Sequence, residues 1–128
     1  MKNVATNRIA ALGIALAVLA GCVTPPPYVL ETGPGQEFLS NSDPLRLASC
    51  TAFNARSFSA RYTGQVETQV RPHNYKVIVT EIYPWYFEPI IVAQLTPAPS
   101  GSRMVVFLSN ALPPAAAGDW IERLRRGC

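Results

Sequence analysis

Residues 75–109 read YKVIVTEIYPWYFEPIIVAQLTPAPSGSRMVVFLS, and this stretch decides the fold. Three runs rich in β-branched and apolar residues are separated by proline-containing breaks, the pattern of short strands joined by turns. The first run spans 75–82, with Val77 and Val79 on one face and Ile78, Thr80 and Ile82 on the other. The second covers 90–96. After the turn at 97–102, the third covers 103–109. Just upstream, Gln65-Val66-Glu67-Thr68-Gln69-Val70 alternates polar and apolar residues, as a half-buried strand does, and Arg71-Pro72-His73-Asn74 makes a turn. Every link is too short for a parallel crossover, so the four strands are expected to form an antiparallel meander.

Helices are expected on either side. Asp43 is a natural N-cap and Pro44 suits the first helical position, so a helix should run from Pro44 to about Arg56. Its small residues Ala48, Ala52 and Ala55 would let it sit close on a sheet. Residues 110–118 contain Pro113-Pro114 and read as irregular. A closing helix is expected from Asp119, where Asp119 and Glu122 have capping-box spacing. Arg123, Arg125 and Arg126 lie in its last turn, where the helix dipole favours cations. The expected architecture is α+β: an N-terminal helix, a four-stranded antiparallel meander and a C-terminal helix, with both helices on one face.

The break between the first two strands of the quoted stretch holds Tyr83, Trp85, Tyr86 and Phe87, bracketed by Pro84 and Pro89. Aromatic rings on a proline-stiffened connection lose little entropy on binding, which makes this the candidate contact for a protein, a peptide or a glycan. The alternative, favoured by the small size of the domain, is that the rings close the sheet core or cover its second face.

The N-terminus carries a different message. Lys2 and Arg8 precede an apolar run over 9–20, which ends in Leu19-Ala20-Gly21-Cys22. Twelve residues of helix span about 18 Å, well short of a bilayer core of about 30 Å, so a cleaved secretory segment is expected. Leu19-Ala20-Gly21-Cys22 resembles the lipobox of bacterial lipoprotein precursors. The resemblance implies removal of residues 1–21. It also implies a diacylglyceryl group on the Cys22 thiol and a third acyl chain such as palmitate on its amine. Two or three chains anchor stably where one does not. With Val23 after the cysteine, it implies attachment to the outer membrane facing the periplasm. Residues 22–42 then read as the lipidated cysteine and a Pro/Gly-rich tether, reaching about 60 Å if extended. The alternative is that Tyr28, Val29, Leu30, Phe38 and Leu39 pack back onto the domain of residues 43–128.

Export into an oxidising compartment bears on the two remaining cysteines. Cys50 and Cys128 are expected to form a disulfide that staples the first helix to the chain end. They are too few and too distant from His73 for a metal site, and they lack redox-motif spacing.

Catalytic signals are sparse. His73 is the only histidine and sits in a turn, while Glu67, Glu81 and Glu88 are scattered. No phosphate-cradling glycine loop occurs, and no cofactor is expected. The formal net charge is +3. Without Lys2 and Arg8, nine basic residues face eight acidic ones, which is no footprint for nucleic acid. The expected role is therefore a non-catalytic accessory or interaction subunit of the envelope, with the membrane and an envelope protein as partners. The second reading is a peptidoglycan, glycan or peptide ligand module built on residues 83–87.

Overall fold

In a computed structural model, residues 27–128 are described. The signal segment 1–21, the lipobox cysteine Cys22 and the expected lack of contact between residues 1–22 and the domain lie outside them. A 3-10 helix, Pro27–Thr32, comes first. It is followed by strand β1 (Gly35–Ser40), helix α1 (Pro44–Phe58), strands β2 (Tyr62–Thr68), β3 (Tyr75–Ile82), β4 (Phe87–Ala98) and β5 (Gly101–Leu108), and helix α2 (Pro114–Arg125).

The sheet has five strands, not four, in the order β1-β5-β4-β3-β2, and every neighbouring pair is antiparallel. Strands β2 to β5 follow the expected meander order, but β2 runs Tyr62–Thr68 in place of 65–70, leaving Val70 exposed in the turn. The extra strand comes from the segment read as tether and pairs with β5 from Gly35↔Phe107 to Ser40↔Ser102. The expectation failed because GQEFLS has no apolar alternation. As an edge strand, β1 half-buries only Phe38 and Ser40 and leaves its other residues exposed, so its own side chains carry little of the reason for its pairing. Arg103 reinforces the register. Its guanidinium grips both carboxylate oxygens of Glu37 at 2.8 Å, and this hydrogen-bonded pairing holds the Glu37 carboxyl below its ordinary range.

Alternation along the strands then sorts two faces. Val77, Val79, Ile91, Ala93, Leu95, Met104 and Val106 point into one core with Leu47, Ala48, Ala52, Ala55, Trp120 and Leu124 from the helices. On the opposite face Ile78, Val92 and Phe107 form a buried cross-strand row. The 3-10 helix lies against β4 and β5 on this face. It is pinned there by Lys76, whose Nζ sits 2.7 and 2.9 Å from the two Glu31 carboxylate oxygens.

Both helices differ in extent from expectation. Helix α1 begins as expected, with the Asp43 side chain accepting from the Arg46 N–H at 3.1 Å, but it continues to Phe58. Helix α2 starts at Pro114 rather than Asp119. Pro113 occupies the cap position without a side-chain cap, so Asp119 lies inside the helix and no capping box forms. The proline pair that reads as a break is a helix start, because a proline at the first position loses no intrahelical bond. Strand β4 extends through Pro89, which falls where the ladder with β3 shifts register; a bulge tolerates the missing N–H.

The close seating of α1 depends on Gly64 in β2. A Cβ at that position would run into the carbonyl oxygen of Ala52. The Gly64 carbonyl in turn accepts from the Arg56 guanidinium at 2.7 Å. Gly64→Ala should therefore push the helix off the sheet and cost about 2–3 kcal/mol, read as a lowered midpoint in urea unfolding. An unchanged midpoint would mean the helix sits farther out than described.

Candidate functional site

The aromatic segment forms the tip of the β3–β4 hairpin. Ile82 pairs with Phe87, and the Tyr83 N–H donates to the Tyr86 carbonyl at 2.9 Å, leaving Pro84 and Trp85 at the apex. The rings of Tyr83 and Tyr86 stack, with centroids 4.5 Å apart and planes 17° from parallel. Trp85 is 89% exposed, Phe87 65% and Tyr86 44%. Thus the packing alternative does not hold for Trp85 and Phe87. The core is closed instead by Trp120 of α2 with Tyr62 of β2 against it, and Phe58 at the end of α1 packs on both rings from outside, centroids 4.8 to 5.1 Å apart. On the second face the 3-10 helix lies against β4 and β5, while Trp85 and Phe87 stay exposed.

Behind the tip lies a polar cluster. The ladder sets Glu81 opposite Glu88, and Glu81 pairs with Arg61 at 3.7 Å. The Tyr83 phenol is pushed up to about 12, first because its hydroxyl donates to the Glu81 carboxylate, then through burial and nearby negative charge. Since the folded state holds this proton more tightly than the unfolded chain, the contact's stabilisation is complete below pH 10 and fades as pH rises through about 12. In an ultraviolet titration one of the five tyrosines should ionise late, and Glu81→Gln should return it to the ordinary range. Five tyrosines titrating together would remove the Tyr83–Glu81 bond from the picture.

The remaining candidates are dispersed. His73 stands exposed in its turn with a positive φ of 62°. Glu67 lies opposite Lys76, away from Glu81 and Glu88. Among the described residues no group of His, Cys, Asp and Glu could hold a metal ion, and no helix is long and apolar enough to cross a membrane.

Cys50 and Cys128 are bonded. Around them the chain end is tied down. Asn54 Nδ2 donates to the carbonyls of Leu124 at 3.0 Å and Arg126 at 2.9 Å, and the Ser42 hydroxyl donates to that of Cys128 at 3.1 Å. The basic run of α2 has aromatic partners the sequence reading missed. Arg123 lies 4.0 Å over the Phe58 ring and Arg125 4.0 Å over Phe38, geometry suited to cation–π attraction. Beside Phe38 a cleft of about 370 Å³ opens between β1 and α2, with Leu47, Met104 and Cys128 in its wall. A second, of about 540 Å³, lies along Phe58, Tyr62 and Pro113. The first cleft could not be foreseen without β1. Neither is lined by the hairpin tip.

The chain matches no protein-family model, no curated protein and no solved structure.

Proposed function

We propose that the chain is a membrane-anchored envelope lipoprotein, attached through lipid on Cys22 and serving as a non-catalytic accessory or interaction subunit on the periplasmic side of the outer membrane. The observation that carries this reading is the Cys50–Cys128 disulfide. A structural disulfide belongs to an oxidising compartment, which agrees with the lipobox at 19–22, and it leaves Cys22 as the remaining thiol of three. The non-catalytic part rests on the site chemistry: His73 is an exposed turn residue, and Glu81 is engaged by Arg61 and Tyr83. Mass spectrometry of the protein from its native host should find a mature N-terminus at Cys22 carrying diacylglyceryl and acyl groups. An unmodified Cys22 thiol would end the lipoprotein reading. Crosslinking in intact cells should reproducibly join the domain to one envelope protein, and repeated recovery of none would end the subunit role.

A further inference from the structure

The length of the leash follows from where the fold begins. The 3-10 helix starts at Pro27 and β1 follows as part of the sheet. Only residues 23–26 therefore lie between Cys22 and the folded domain, and five residue steps reach at most about 18 Å. A domain of this length has a radius of gyration near 13 Å, hence a diameter of roughly 33 Å. The leash is shorter than the body it holds. A lipidated Cys22 keeps the domain against the bilayer, where a tether of residues 22–42 would let it stand well clear.

We propose that the Pro84–Trp85 tip is a bilayer contact, seating Trp85 and Phe87 at the boundary of headgroups and acyl chains. The inference rests on the lipoprotein reading and extends it to the surface the domain turns to its membrane. Two properties of the tip favour a bilayer over a soluble ligand, and a third eases the seating of either. The tip projects, with Trp85 and Phe87 largely exposed, and small-molecule sites are concave. Residues 82–87, IYPWYF, carry no charge, and tryptophan and tyrosine are the side chains that settle at membrane interfaces, with an apolar ring inside and a polar edge toward water. The Tyr83–Tyr86 closure and the two flanking prolines hold the rings in place, so little freedom is lost on seating.

The test uses the full lipidated protein in vesicles of phosphatidylethanolamine and phosphatidylglycerol, with or without acyl-brominated lipid. The chain has two tryptophans, and Trp120 is buried in the core. Contact of Trp85 with the lipid should cut total tryptophan emission by about half, because only an inserted ring meets the bromine atoms at the acyl boundary. Trp85→Phe, at an exposed position that leaves the fold intact, should abolish the quenching. High salt should not weaken it, because residues 82–87 carry no charge that attracts the headgroups. Unquenched emission from protein whose mass shows lipid on Cys22 overturns the bilayer contact and leaves the lipoprotein reading standing. A Trp85 emission shift with soluble muropeptides but no lipid quenching also overturns it, assigning the tip to a glycan. An unlipidated Cys22 overturns both.

Discussion

A chain shortened to begin at Ser42 is expected to lose its cooperative thermal transition. The cut removes the 3-10 helix and β1, the segment whose sequence reads as a Pro/Gly-rich tether. It strips the 3-10 helix from β4 and β5, where Val92 and Phe107 are buried, and it takes Phe38 from the edge of the core. Fully burying such side chains contributes about 1.5–3 kcal/mol each, so the loss is roughly 5 kcal/mol or more. Whole domains hold only about 5–15 kcal/mol. The cut also turns β5 into an open edge, ready to pair with other chains. Far-ultraviolet circular dichroism and light scattering during a melt would show the loss of cooperativity together with aggregation. A sharp melt within a few degrees of the longer protein would show that residues 27–41 add nothing to the fold.

Replacing both Cys50 and Cys128 by serine is the second large effect. The two residues are 78 positions apart, and closing a loop of about 80 residues restricts the unfolded chain by roughly 4–5 kcal/mol in the chain-entropy account. For a domain of this size each kcal/mol moves the melting temperature by about 4–8 °C, so a drop of roughly 20 °C or more is expected. The native side loses less. Asn54 and Ser42 still hold the carbonyls of Leu124, Arg126 and Cys128, so the serine variant should keep its fold below its lower midpoint. Scanning calorimetry of the oxidised, reduced and doubly substituted proteins separates the entropic contribution from any packing loss. Equal midpoints in all three, or two reactive thiols in the unreduced domain, would contradict the staple.

One feature of β5 was a legible signal of the missing strand. RMVVFL is nearly continuous in apolar residues, and Met104, Val106 and Phe107 are all buried. A strand apolar on both faces belongs inside a sheet, whereas a four-stranded meander would leave β5 at the edge. The need for a fifth strand could be read from the neighbour, though not from Gly35–Ser40 itself. For the hairpin tip the case is reversed. Its rings are plain in the sequence, but their exposure depends on which other groups fill the core. Trp120, Tyr62 and Phe58 come together only when β2, α1 and α2 meet. The same holds for Arg123 and Arg125, whose aromatic partners are more than sixty residues away in the chain.

Local chemistry was therefore enough for the parts that local chemistry governs. The alternating run of β2, the apolar runs of β3 to β5, the Asp43 cap with Pro44, and the turn at His73 follow from preferences acting over a few residues. The likeness of residues 19–22 to a lipobox is local in the same sense. Tertiary structure alone decided which segment supplies the fifth strand, where the 3-10 helix lies and the outward display of Trp85. Those depend on competition among distant segments for the same apolar surface, and the winner is set by shape and burial that no short window of residues contains.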